Sequence, residues 1–197
     1  MKVVKEKLRK IYGSVINFGK ENTDLPHEDV IRFFASFLKP QVYVELGVYQ
    51  CSLVNKLTPF VGKSIYAVDI SADAGLFMKK TKKHHFFHGK TDDFLQYVKD
   101  NKIMIDMIFI DADHRKESVL NDFKNFFPFV REDGIIFLHD GYPKNKEQTE
   151  DGYCSNCWEA IEELGRDRSE YEMVTLPLHP GLTICRKRTK QVPWIKR

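Results

Sequence analysis

The chain has 197 residues, of which 42% are apolar and 30% charged, and a formal net charge of +3. That length allows one well-buried core and is short for two, while so small a charge gives no reason to expect a nucleic acid or an anionic membrane as partner. No apolar stretch reaches the roughly 18 residues of a membrane span, and no long apolar run follows the charged start Met1 to Lys7, so a soluble, cytoplasmic protein is the expectation.

In chain order, Val3, Val4, Leu8, Ile11, Tyr12, Val15 and Ile16 fall at helical spacing with Lys5, Arg9 and Lys10 on other faces, which predicts an amphipathic helix over 3–16. Covering one edge of the domain is its expected role, and it also offers a homodimer contact. Asp24 and Pro26 open a second helix over 28–38 that ends before Pro40. Residues 1–39 thus form a helical cover for the domain that begins at Pro40.

From Pro40 strand and helix patterns alternate, with strands expected near 42–46, 65–69, 84–88, 106–111 and 133–138. The strongest helix is predicted over 116–130, where Val119, Leu120, Phe123, Phe126, Phe127 and Val130 share a face. A polar loop over 140–152 precedes a helix from Cys154 to Leu164. Two last strands, 172–176 and 182–185, are joined too closely for a crossover helix and should pair antiparallel. The predicted fold is therefore α/β: a Rossmann-like, doubly wound, seven-stranded sheet, mainly parallel, with an antiparallel C-terminal hairpin, over residues 40–187. The basic end from Arg186, with 188–197 as a tail, reads as solvated. Cys154 and Cys157 make a single CxxC, half a zinc site at most, and continue the apolar stripe of Trp158, Ile161 and Leu164, so core packing is their expected role.

In a parallel sheet, chemistry collects at the carboxyl ends of the strands. Glu45 and Asp69 end two consecutive strands with one helix-length segment between them. A carboxylate about 20 residues past the first glycine turn can accept both hydroxyls of a ribose. The other strand ends are also polar: Gly47 and Tyr49 after the first, Ser71 after the second, and Gly89, Thr91 and Asp92 after the third. Asp111, Asp113 and His114 follow the fourth, and His139 and Asp140 the fifth.

Over residues 40–187 the chain resembles the class I S-adenosylmethionine-dependent methyltransferases. Glu45-Leu46-Gly47-Val48-Tyr49-Gln50-Cys51-Ser52 is similar to the first cofactor motif and Ala67-Val68-Asp69-Ile70 to the second. Phe109 to His114, followed by Gly134 to Asp140, resembles the small-molecule O-methyltransferases, nearest to the macrolide-sugar methyltransferase and cephalosporin-hydroxylase groups and more distantly to catechol O-methyltransferase. The resemblance implies that Glu45, Gly47, Tyr49, Ser52, Asp69, Ile70, Gly89, Thr91, Asp92 and Asp111 bind S-adenosylmethionine. It implies further that His114, assisted by Asp111, is the base that takes the proton of a small-molecule acceptor hydroxyl. Asp111, His139 and Asp140 could hold Mg²⁺ or another divalent ion.

The chain departs from the family pattern twice. Cys51 replaces the last glycine of the first motif, where its side chain could crowd the cofactor, and His139 stands where metal-dependent relatives carry an acid, which points to no metal or to a softer one. Two other readings stay open: a metal-dependent hydrolase built on Asp111, His114 and Asp140, and a degenerate module that keeps the fold without the cofactor. A nicotinamide dehydrogenase fits poorly, because the turn after Gly47 lacks the further glycines of G-x-G-x-x-G. Tyr142, Lys144 and Lys146 in the loop 140–152 suggest a sugar-like or anionic acceptor.

Overall fold

The computed structural model describes residues 26–166, 170–178 and 180–188. Helix α1 (His27–Leu38) leads into β1 (Val42–Leu46), α2 (Ser52–Leu57), β2 (Ser64–Asp69), a 3₁₀ turn (Ala72–Phe77) and β3 (His84–His88). Then come α3 (Thr91–Asp100), β4 (Ile105–Ile110), α4 (Lys116–Phe126), β5 (Val130–His139), α5 (Cys157–Leu164), β6 (Tyr171–Leu176) and β7 (Leu182–Lys187). The helix expected over 3–16 and the chain beyond 188 lie outside the described residues.

The strands form one seven-stranded sheet in the order β3-β2-β1-β4-β5-β7-β6, in which β7 runs antiparallel to both its neighbours. Residues of β1 alternate between its two faces, as the period of a strand requires. Val42, Val44 and Leu46 pack with Phe94 of α3, Phe123 of α4 and Ile161 of α5, whereas Tyr43 packs with Ile31 of α1, Leu53 of α2 and Phe137 of β5. The chain adds β2 and β3 on one side of β1 and the later strands on the other. A crevice therefore opens where the order reverses, above the carboxyl ends of β1 and β4.

Several boundaries move for identifiable reasons. The helix expected to run to Val130 stops at Phe126, because Pro128 cannot continue it; Phe127–Phe129 is a 3₁₀ turn and Val130 already belongs to β5. β5 is consequently longer than expected, and a register shift between Ile105 and Met107 of β4 absorbs its extra residues. Between β2 and β3 there is only the 3₁₀ turn, whose Gly75 lies so close to the Phe86 ring that an added Cβ would meet it at 2.6 Å. The last helix begins at Cys157 rather than Cys154, since Ser155 has a left-handed backbone with φ of +47°. Arg186 and Lys187, expected in a tail, pair in β7 with Ile135 and Tyr171.

Candidate active site

At the end of β1 the chain turns sharply under the crevice. Gly47 has φ of +81°, and a Cβ there would stand 2.2 Å from the Asp111 carbonyl oxygen, so glycine alone allows the β1 and β4 ends to approach this closely. Tyr49 and Cys51 in the same turn are also left-handed, at φ of +45° and +54°. Asp69 at the end of β2 holds the turn in place: one carboxylate oxygen accepts the N–H groups of Val48 and Tyr49, both at 3.0 Å, and the other accepts the Ser71 N–H at 2.8 Å. One side chain thereby fixes both cofactor motifs to each other.

Two cavities meet at this turn. One, about 400 Å³, lies between β2, α3 and α4 and includes Ile70, Gly89, Thr91, Asp92 and Asp122 in its wall. The other, about 560 Å³, lies over β4 and β5 and includes Tyr49, Phe77, Asp111, His114, Asp140 and Tyr153. Gly47, Asp69 and Ala112 belong to both.

Of the sequence-predicted cofactor residues, eight therefore line the crevice: Gly47, Tyr49, Asp69, Ile70, Gly89, Thr91, Asp92 and Asp111. Glu45 and Ser52 do not. Glu45 is buried behind the turn, its carboxylate accepting from the Tyr43 hydroxyl at 2.6 Å, because residues of a strand alternate and position 45 shares a face with Tyr43. Its pKa is pushed well up, chiefly by burial. Ser52 is turned to the opposite side, where its hydroxyl bonds Glu28 of α1. Cys51 does not crowd the crevice either: its buried thiol donates to the Ala74 carbonyl at 3.3 Å.

Asp111, His114, His139 and Asp140 converge in the larger cavity. The Nδ1 of His139 stands 3.1 Å from Asp111 and 3.2 Å from Asp140. The Nδ1 of His114 stands 2.9 Å from Asp140 and also bonds the Tyr153 carbonyl, and its Nε2 faces Asp111 at 3.5 Å. Held between two carboxylates, His114 is raised to about 11 against the opposing effect of burial. Burial would lift Asp111, but the bonds from His114 and His139 outweigh it and bring the carboxyl down to about 2. For His139, burial disfavours the charge, yet Asp111 and Asp140 together raise its pKa.

Among the described residues Asp111, His139 and Asp140 form the candidate metal set, with one donor atom of each within 4.8 Å of the others. The Nε2 of His139 is buried without a hydrogen-bond partner among them. Two carboxylates and an imidazole suit a borderline divalent ion such as Mn²⁺, Fe²⁺ or Zn²⁺ better than Mg²⁺, so the residues fit a softer metal.

Residues 44–141 match a family model described as a methyltransferase domain. The chain carries a methyltransferase domain. The methyltransferase shares its fold with an O-methyltransferase from Bacillus cereus in complex with SAH, at a TM-score of 0.70 and 14% identity over 94% of this chain and 97% of that one. An SAH-bound methyltransferase from Podospora anserina superposes at 0.67 and 17% identity, covering 95% of each chain. An O-methyltransferase involved in tomaymycin synthesis in Streptomyces achromogenes, in complex with SAM, superposes at 0.64 and 14% identity over 93% and 90%. No curated protein sequence matches the methyltransferase. The family match favours methyl transfer over the hydrolase and binding-module readings.

Four parts of the methyltransferase site escape a reading of strand ends. His27, the first residue of α1, packs against His139 with ring centroids 4.0 Å apart and the rings tilted by 51°, and burial with the nearby His139 lowers it to about 4. Cys154, expected in the core, lines the larger cavity, its thiol 3.6 Å from Asp140, while the Cys157 thiol donates to the His139 carbonyl at 3.2 Å. Phe77 and Tyr153 are loop aromatics. Asp122 lies inside the pattern of α4, between Leu120 and Phe123, where nothing in the spacing distinguishes a cavity wall from a solvated face. Lys144 and Lys146, which the sequence offered toward an anionic acceptor, are not in the wall of the larger cavity. Among the described residues no helix is long and apolar enough to cross a membrane.

Proposed function

We propose that the protein transfers a methyl group from S-adenosylmethionine to a hydroxyl oxygen of a ring-bearing small molecule. The observation that carries this reading is the pair of cavities joined at Gly47, Asp69 and Ala112, at the switch point of the sheet. The smaller cavity takes the nucleoside, with Asp69 at the junction as ribose acceptor and Ile70 against the base. The larger takes the methionine end beside Gly47 and Tyr49, and the acceptor beside Asp111, His114 and Asp140. Tyr49, Phe77 and Tyr153 are 79%, 53% and 64% exposed around it, and such aromatic faces suit the flat surface of a sugar or an aromatic ring.

In the transfer the acceptor oxygen forms a bond to the methyl carbon as the carbon–sulfur bond breaks and its electron pair returns to sulfur, and the hydroxyl proton leaves to a base. In-line positioning of the two reactants supplies most of the acceleration. Below about pH 11 His114 is mostly protonated, so it acts as that base from its minority neutral form and transfer should quicken as the pH rises toward that value, while its place between Asp111 and Asp140 fixes the ring toward the acceptor. Asp111, His139 and Asp140 would hold a divalent ion, which would ease ionisation of a nearby hydroxyl. The four cysteines are free thiols, as in a reducing cytoplasm.

The test is transfer of labelled methyl from S-adenosylmethionine to a panel of sugar and phenolic hydroxyl compounds. Label in a base-stable ether product, lost when Asp69 is replaced by alanine, supports the reading. Binding of the cofactor product with no transfer to oxygen, but transfer to amines or thiols, would replace it.

A further inference from the structure

Asp122 lies on α4 with its side chain in the wall of the smaller cavity, although the residue is only 3% exposed. The other two acids beside it are already engaged by donors of the protein. Asp113 accepts from Arg115 and, at 2.8 Å, from Ser118. Asp92, which the family resemblance implies borders the adenine, accepts from Asn121 at 3.1 Å and Asn125 at 3.3 Å. Asp122 has the Thr91 hydroxyl of α3 as its bonded neighbour. A carboxylate buried in this way gains most from a ligand that brings an N–H donor, since an under-bonded buried charge is costly.

Resting on the S-adenosylmethionine reading, we propose that Asp122 reads the base of the bound nucleoside, its carboxylate accepting from the exocyclic amine of adenine and so selecting adenine over hypoxanthine. Hypoxanthine carries a carbonyl oxygen where adenine carries the amine, and a carboxylate repels it. Ile70, 75% exposed at the rim, supplies apolar contact to either base and cannot tell them apart. Burial, then the charges of Asp92 and Asp113, raise the Asp122 carboxyl to about 6, against the hydrogen bond from Thr91; the cations of the same cavity wall are Lys90 and Arg115. Selection is therefore full at pH 8, where the carboxylate is ionised. It weakens at pH 5, where the protonated acid can donate to the carbonyl of hypoxanthine.

Calorimetric titration with S-adenosylhomocysteine and S-inosylhomocysteine tests this in the full-length protein. Wild type should prefer the adenine compound by roughly tenfold at pH 8 and by clearly less at pH 5. Asp122→Asn, whose amide can donate as well as accept, should bring the ratio close to one, whereas Asp100→Asn, at the far end of α3 and outside the cavity wall, should leave it standing. An unchanged ratio in Asp122→Asn overturns the assignment. Should that variant fail to fold, a wild-type ratio that does not move between pH 8 and pH 5 overturns it equally. Failure of wild type to bind either compound overturns the cofactor reading and the assignment with it.

Discussion

Asp69 and His114 show how one side chain can serve both architecture and chemistry. Asp69 accepts three backbone N–H groups from the turns after β1 and β2, so the carboxylate proposed to receive the ribose also shapes the turn beneath it. His114 touches Asp111, Asp140 and Tyr153 and lies in the larger cavity, outside the smaller one proposed for the nucleoside. His114→Ala should therefore lower kcat by about a hundredfold or more while leaving the affinity for S-adenosylhomocysteine within twofold. A matching loss of cofactor affinity would make the histidine structural instead. At this scale the strand-end rule located much of the larger cavity's wall, since Gly47, Asp69, Asp111, His139 and Asp140 all follow apolar runs. It missed His27 and Asp122, which enter through helices, and it misplaced Glu45, because alternation along β1 turns that side chain to the Tyr43 face.

At the scale of elements, β1 and β4 are the pair on which the crevice depends. Their bottom ends are tied by Asp106, whose carboxylate accepts the N–H groups of Gln41 at 2.9 Å and Val42 at 2.8 Å and meets Arg131 of β5 at 3.2 Å. Asp106→Ala leaves those donors to water at the sheet edge. It should cost about 1–3 kcal/mol in denaturant unfolding, with a lower midpoint and an unchanged slope. An unaltered midpoint would show that the strand pair needs no such tie. The strands and helices themselves were legible because their apolar patterns differ, a short near-continuous run for β1 and a 3.6-residue period for α4. Their ends were legible only where a breaker stands. Pro40 stops α1 close to where the pattern does, but Pro128 lies inside an unbroken helical pattern and the chain leaves the helix there anyway. The late start of α5 depends on the left-handed Ser155 and on contacts of Cys154 and Cys157 with the fifth strand end, which no local spacing encodes.

For the whole molecule, the buried charges make stability depend on pH in a definite direction. His114, raised to about 11 from 6.5, contributes stability that is complete below pH 6.5 and is lost as the pH climbs toward 11. Asp111, lowered to about 2 from 3.8, contributes above pH 3.8 and loses that contribution as the pH falls toward 2. Asp122, raised to about 6, works like His114 in sign, its share declining between pH 3.8 and 6. In EDTA, Tm should fall from pH 7 to pH 10, and less steeply in His114→Asn; equal slopes would show that the cluster does not hold the proton. His114 and Asp111 stand in the larger cavity and Asp122 in the smaller, on either side of the junction where the proposed transfer brings sulfonium and hydroxyl together. The measurement that tests this most directly is calorimetric titration of the protein with S-adenosylhomocysteine, without metal and with Mn²⁺. Micromolar binding that Asp69→Ala weakens by on the order of 1–3 kcal/mol is the predicted result. No binding in either condition, or binding that Asp69→Ala leaves intact, would contradict it.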